Sequence, residues 1–444
     1  MASTVSQADL RARAHRAIPA GCHTYSKGDD QFPANAPAFL VRGEGTTVWD
    51  PDGNEFLDWG MGLRSVILGH AHPRVVDAAT AELQRGSNFT RPSTLELEVA
   101  EQLIELIPAA EMVKFAKNGS DVTTAAGRLA RAFTGRDLIA FPQEHPFYSF
   151  DDWFIGTTKV DAGVPQDVTA LSRTFPYGDL GALEALLAAE GDRIAMVIME
   201  TATDADPPEG YLEGVRALTE RHGVLLTFDE MITGFRWDLR GSQHRYGVTP
   251  DMATFGKAVA NGLSVSALVG RRDVLDLGGI HHDRPRVFLL SATHGGETHA
   301  LAAARATIDE LRENDGPARL SATGAALQDA INGAARDAGV DGVVRATGLP
   351  CSPIVAFDAG GDVQHSAGLR TLFLQETVAR GVLIPYVAPS LAHSAEDVAR
   401  TGEAAAEAFA AVRRVLDGEP LEDLLDGPVV KPVFRRYNAV DLDA

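Results

Sequence analysis

Lys257 stands in Thr254-Phe255-Gly256-Lys257-Ala258-Val259-Ala260-Asn261-Gly262, a lysine among small and apolar neighbours. Most lysines lie on solvated faces, where more polar company is usual. In a partly desolvated pocket a lysine loses its proton and can form a Schiff base with an aldehyde. Asp229 ends the apolar run Val224-Leu225-Leu226-Thr227-Phe228. A carboxylate ending a buried strand is costly unless it is paired or hydrogen-bonded. A protonated pyridine-type nitrogen satisfies it; so does a turn that it caps, or an ion pair with Arg236. The two residues are 257 − 229 = 28 positions apart, enough for one crossover back into the same site.

Asn118-Gly119-Ser120 lies between a strand-like piece, 112–115, and a helical segment running through Ala125, Leu129 and Phe133. Glycine lets backbone approach an anion, and a new helix offers free N–H groups to phosphate. The same tripeptide also suits an ordinary turn. Together the three features supply what pyridoxal phosphate needs: an amine for its aldehyde, a carboxylate for its ring nitrogen and a phosphate cup. The run His145-Pro146-Phe147-Tyr148-Ser149-Phe150-Asp151-Asp152-Trp153-Phe154 offers rings that stack on a flat heterocycle or simply fill a core.

These residues need elements to hold them. Apolar runs at 194–199 and 224–228 end in Glu200 and Asp229, with a helical segment, 211–222, between them. Strands alternating with helices predict a largely parallel sheet covered on both faces, with ligands at the carboxyl edge. Leu95, Val99, Leu103 and Leu106 form a helical stripe over 93–107, and 299–311 is Ala-rich and helical. Residues 38–59 read as short strands around Asp50-Pro51-Asp52-Gly53. Beyond about Leu320 the pattern becomes a helix, strands at 341–344 and 353–357, and two more helices. The first 20 or so residues read as an arm or short helix, and those from Pro420 as a tail or packed extension. The expected organisation is an N-terminal segment at 1–75 contributing to a small domain, a large cofactor domain at 76–319, and a C-terminal small domain with tail at 320–444.

The ordered motifs resemble those of the class III (subgroup II, fold type I) pyridoxal-phosphate aminotransferases, in the branch similar to glutamate-1-semialdehyde 2,1-aminomutase. Phe228-Asp229-Glu230-Met231-Ile232-Thr233-Gly234-Phe235-Arg236 resembles the strand and turn beneath the pyridine ring, and Phe255-Gly256-Lys257 the cofactor-lysine motif. Val48-Trp49-Asp50-Pro51-Asp52-Gly53-Asn54-Glu55 and Leu68-Gly69-His70-Ala71-His72-Pro73 extend the match. The resemblance implies an α/β fold: a large domain with a mostly parallel seven-stranded sheet flanked by helices, plus a smaller α+β domain. It implies that Lys257 holds pyridoxal 5'-phosphate and shuttles a proton, and that Asp229 keeps the ring nitrogen protonated. Gly119 and Ser120 would bind phosphate, Phe147 would stack on the ring, and Glu200 would match a strand-ending glutamate. Thr293, in Ala292-Thr293-His294-Gly295-Gly296-Glu297, would reach the phosphate of a neighbouring subunit, so the active site of a homodimer would be completed across its interface.

The chain also departs from the pattern. Asn118-Gly119-Ser120-Asp121-Val122 replaces Ser-Gly-Ser or Ser-Gly-Thr followed by Glu-Ala, Phe147-Tyr148-Ser149 replaces Tyr-His-Gly, and Thr201 replaces a proline. Ala20-Gly21-Cys22-His23-Thr24-Tyr25-Ser26-Lys27 resembles the aminomutases' substrate loop, with Lys27 where they carry arginine. Pro385 lies near the place of their late glutamate. Both changes argue against glutamate-1-semialdehyde as the substrate. The expected activity is therefore a two-substrate aminotransferase, moving an amino group from an amine or amino-acid donor to an aldehyde or ketone acceptor. The alternative is an intramolecular 2,1-aminomutase acting on an amino aldehyde. His23, Tyr25, Lys27 and Tyr148 are the candidates for a pocket taking a carboxylated, phosphorylated or polyhydroxylated metabolite.

Composition narrows the rivals. The 444 residues carry 40 Lys plus Arg and 61 Asp plus Glu, a formal charge of −21, which disfavours nucleic acid and anionic membranes. No run approaches the roughly 18 apolar residues of a membrane span, and the opening residues lack a signal-peptide pattern, so a cytoplasmic protein is expected. Cys22 and Cys351 supply no disulfide framework. A metal hydrolase built on His70 and His72, or on His281, His282 and Asp283, lacks a coherent third ligand. A noncatalytic binding module would have no use for the lysine, the aspartate and the phosphate loop together.

Overall fold

The computed structural model describes residues 6–145 and 147–435; Pro146 of the aromatic run and the tail beyond Arg435 lie outside them. The described chain divides into two compact units. One comprises the residues up to Leu63, Gly69–Ala71 and those from Arg319 onward; the other comprises Arg64–Leu68 and His72–Ala318.

The larger unit is built on seven strands: β1 (Met112–Ala116), β2 (Leu138–Pro142), β3 (Ser172–Phe175), β4 (Ile194–Met199), β5 (Leu225–Asp229), β6 (Met252–Phe255) and β7 (Ser266–Gly270). Their order across the sheet is β1-β7-β6-β5-β4-β2-β3. Strands β3, β2, β4, β5 and β6 run parallel, and β7 is antiparallel to both β6 and β1. The principal helices are α1 (Thr94–Leu106), α2 (Gly119–Thr134), α3 (Leu180–Glu190), α4 (Tyr211–Arg221) and α5 (Thr298–Glu313).

Strand side chains alternate between faces, and each face has its own cover. Leu138, Ala140, Val197, Met199, Leu226 and Phe228 pack with Leu183 and Leu187 of α3 and with Tyr211, Leu212 and Val215 of α4. Ile139 and Met196 point the other way, against Gly127 of α2, where a Cβ would come within 2.8 Å of the Ile139 side chain. This two-sided burial is why β4 and β5 are almost wholly apolar in sequence.

The smaller unit contains a four-stranded sheet of Arg42–Glu44, Thr47–Trp49, Glu55–Asp58 and Val382–Leu383. Asp50 Oδ1 accepts the N–H groups of Asp52 and Asn54 at 2.9 and 2.8 Å, which fixes the expected turn. Val344–Thr347 pairs antiparallel with Ile354–Phe357. The strand expected at 341–344 begins only at Val344, because the N–H groups of Val343 and Val344 both turn back to Val340 O at 2.9 Å. Trp59, Phe373 and Phe409 lie in this unit's core with the helices Val363–Ala379 and Ala395–Leu416. The last described residues pack as an extension: Val430 is buried, its N–H donates to Thr371 Oγ1 at 3.1 Å, and Gln31 Nε2 donates to Lys431 O at 2.9 Å. Among the described residues no helix is long and apolar enough to cross a membrane.

Candidate active site

Register brings the charged residues together. Met199 pairs with Phe228 and Asp229 with Thr254, so Glu200 and Asp229 emerge side by side at the carboxyl ends of β4 and β5, with Lys257 just beyond β6. Asp229 Oδ1 accepts from Met231 N–H at 2.9 Å and Thr254 Oγ1 at 3.1 Å. The turn-capping alternative therefore holds for that oxygen. Oδ2 accepts no hydrogen bond, and the Lys257 amine makes none, among the described residues. Glu230, the next residue, is different: its carboxylate accepts from Thr233 Oγ1, Ser242 N–H and Gln243 N–H at 2.7, 2.8 and 3.0 Å and holds the following turn.

Burial dominates the electrostatics. It pushes the Asp229 carboxyl up to about 6, against the pull of Lys257. Burial, then the charge of Asp229, pushes Glu200 up to about 8. It lowers the Lys257 amine although Asp229 and Glu200 favour its protonation; Arg64 and Arg236 add to the lowering. Lys257 and Asp229 thus sense each other's charge without forming a direct ion pair. Lys257 also has φ +44, a left-handed conformation costing a β-carbon residue on the order of 1–3 kcal/mol.

The N-terminus of α2 is the candidate anion cup. Asn118 and Asp121 make a capping box, and Asp121 Oδ2 accepts Asn118 N–H at 2.8 Å. That leaves the N–H groups of Gly119 and Ser120 as the unbonded donors of the first turn. The Met231 thioether, two residues past Asp229, packs against this cup and against the residue preceding Lys257. A Cβ on Gly119 would lie 2.9 Å from Met231 Sδ, and one on Gly256 2.7 Å, so both positions require glycine as long as Met231 stays in place.

The aromatic run is stitched to the same helix. Thr123 Oγ1 donates to Tyr148 O at 3.0 Å, Phe150 N–H donates to Ser120 Oγ at 3.0 Å, and Trp153 Nε1 donates to Thr124 Oγ1 at 2.8 Å. Phe147 is 45% exposed and meets Phe154 edge-on at 5.7 Å. Tyr148 is the ring on the carboxylate side. It is buried, its hydroxyl is hydrogen-bonded to His145 Nδ1, and burial together with Glu200 and Asp229 pushes its pKa well above the usual tyrosine value. Glu200 N–H also donates to His145 Nδ1, at 3.2 Å. Burial holds this histidine neutral, with a pKa of about 4. Thr123, Thr124 and His145 escaped sequence reasoning, because a threonine pair inside a helix and a histidine beside proline carry no pattern of their own.

Thr293 is exposed, and its carbonyl accepts from Asn88 Nδ2 at 2.9 Å. His23, Tyr25 and Lys27 are exposed on the smaller unit, around the short turn Tyr25–Lys27. His70 pairs with Asp58 at 2.9 Å, whereas His72 lies 3.9 Å from Glu310 and belongs to the other unit. Among the described residues no group of three or more His, Cys, Asp or Glu side chains is arranged to hold a metal ion.

The model of the family described as aminotransferase class-III matches residues 29–416. The chain belongs to the class-III aminotransferases. Among its relatives is the glutamate-1-semialdehyde 2,1-aminomutase of Pelotomaculum thermopropionicum, 35% identical over 435 residues, covering 90% of this chain and 96% of the relative. That name matches the intramolecular alternative better than the two-substrate reading. The FumI protein of Sphingopyxis sp. MTA144, in a form holding pyridoxal phosphate, superposes with a TM-score of 0.85 at 28% identity, covering 94% of this chain and 99% of that one. An omega-transaminase from Sphaerobacter thermophilus gives 0.83 at 25% identity, covering 93% and 98%. Pyridoxal phosphate is the cofactor these comparisons support, and the fold is that of the fold type I transferases. The donor set fits it: two unbonded N–H groups for phosphate, a bare carboxylate oxygen for a ring nitrogen, and an unbonded amine for an aldehyde.

Proposed function

We propose that this class-III enzyme moves an amino group within one small amino aldehyde, as a 2,1-aminomutase does. The buried, unbonded Lys257 amine, within reach of the Asp229 charge, carries the amine-transfer part of this reading, and the named relative supports the intramolecular part. Held in this site, pyridoxal phosphate supplies the electron sink that stabilises a carbanion next to the transferred nitrogen. The Lys257 amine would hold the cofactor's aldehyde group and, when free, would remove and return a proton at the substrate carbon. Burial lowers its pKa, which favours the neutral, basic form of the amine. Asp229 would keep the ring nitrogen protonated, its Oδ1 being fixed by Met231 and Thr254. Gly119 and Ser120 hold the phosphate, and Phe147 supplies a ring face. Thr293 completes the site of a partner subunit in a cytoplasmic homodimer, and His23, Tyr25, Lys27 and Tyr148 contact substrate.

A second reading, transamination between two substrates, draws on Lys27 in the arginine's place, Pro385 near the glutamate's place, and the likeness to an omega-transaminase. The two separate in one experiment. Holoenzyme is given a single amino aldehyde, with neither a second amine nor a second carbonyl. Isomerisation supports the mutase; conversion only when a separate donor or acceptor is added supports the aminotransferase.

A further inference from the structure

The strand-free segment Arg64–Leu68 is tied to both loops that carry the site. Asn261, four residues beyond Lys257, accepts the N–H groups of Ile67 and Leu68 on its Oδ1, each at 2.8 Å. Arg236, in the turn that follows Asp229, donates from Nη2 to Arg64 O at 3.3 Å. The backbone of Arg64 is strained: φ is +69, after +42, +58 and +59 at Met61, Gly62 and Leu63. A left-handed turn in which three of four residues carry a β-carbon is costly and persists only where its surroundings impose it, commonly around ligands. The guanidinium charge of Arg64 is sensed by both Glu200 and Lys257, favouring the ionised carboxylate of the first and opposing protonation of the second. Amine transfer through Lys257 has no step that requires a second fixed cation. A substrate carboxylate does, and a planar, permanently charged guanidinium matches it with two parallel hydrogen bonds.

We propose that Arg64 is a substrate-binding residue that takes a carboxylate carried by the substrate while Lys257 handles its nitrogen. The proposal rests on the Schiff-base reading of Lys257 and deepens it: the preferred substrates are amino acids or amino-carbonyl acids rather than plain amines.

Oxyamines test this without knowledge of the natural substrate. Aminooxyacetate and 3-aminooxypropionate carry a carboxylate; O-methylhydroxylamine and O-ethylhydroxylamine do not. In each case the reagent nitrogen forms a double bond to the aldehyde carbon, the bond to Lys257 breaks, and the reagent's two N–H hydrogens pass to the lysine nitrogen. The second-order rate is read from loss of the visible Schiff-base band of the holoenzyme. The wild type is expected to react about tenfold or more faster with the acids than with the neutral partners. Arg64→Met and Arg64→Gln should each bring that ratio close to one, while Arg64→Lys keeps part of it. A ratio that is the same in the wild type and in both neutral variants overturns the proposal. A wild type that shows no Schiff-base band with cofactor supplied overturns the reading beneath it instead.

Discussion

Glu200 and Asp229 stand side by side at the carboxyl ends of neighbouring parallel strands, both buried and both within reach of the charge on Lys257. Two carboxyl groups so placed do not ionise equally. Asp229 keeps two donors on Oδ1, whereas the Glu200 carboxyl takes no hydrogen bond among the described residues, and it is Glu200 that is pushed the further up.

This pair sets a pH dependence in the cofactor-free protein. Glu200 and Asp229 have folded-state pKa values of about 8 and about 6, raised from 4.5 and 3.8. Groups raised on folding contribute stability below their unfolded values, and that contribution is lost as pH rises through the folded ones. The contribution of this pair to stability should therefore decline between about pH 4.5 and pH 8. Glu200→Gln removes one titrating group, so its advantage over wild type should open across that window and level off above it, on the order of a few kcal/mol. Urea unfolding of both proteins from pH 4.5 to 9 checks this; parallel curves would contradict it.

Asp229→Asn keeps an oxygen for Met231 N–H and Thr254 Oγ1 but cannot hold a positive ring nitrogen. The variant is expected to fold, with an unfolding midpoint close to wild type, and to lose activity by roughly 10²-fold or more. Turnover and thermal unfolding measured on one preparation distinguish this from simple destabilisation.

Met231 imposes the two glycines. Gly256→Ala and Gly119→Ala place a Cβ 2.7 and 2.9 Å from Met231 Sδ, an overpacking expected to cost about 1–3 kcal/mol. Shortening the neighbour should relieve it: Gly256→Ala with Met231→Ala should be less destabilised than the sum of the two single changes. A double-mutant cycle by denaturant unfolding gives the coupling.

Asn261 combines a left-handed backbone with two accepted N–H groups. Asn261→Ala strains the backbone and leaves the N–H groups of Ile67 and Leu68 without an acceptor, a loss of about 1–3 kcal/mol for each. Asn261→Asp keeps the acceptor and should recover most of that stability. Equal losses in the two variants would show that the bonds do not matter.

Much of this was legible in the chain. Two apolar runs ending in acids announced parallel strands, and Asn-Gly-Ser before a helical stripe announced a capped helix start, because strand burial and helix capping leave local signatures. Register, by contrast, is long-range. That Glu200 falls beside Asp229, that Met231 wedges two distant glycines, and that Asn261 pins residues 67 and 68 depend on pairings between segments up to 194 positions apart. Tyr148 is buried and hydrogen-bonded to His145, whereas Phe147 is 45% exposed; adjacent aromatics look alike in sequence. Arg64 was missed because its signal is backbone strain.

The central claim is that Lys257 carries the cofactor. Wild-type protein and Lys257→Ala, each supplied with pyridoxal phosphate and freed of excess, should differ in one respect above all. Wild type shows the visible band of a lysine Schiff base, borohydride fixes it irreversibly, and the cofactor's mass is found on the peptide containing Lys257; the variant shows neither band nor adduct. A band that survives Lys257→Ala, or an adduct on another lysine, would contradict the account.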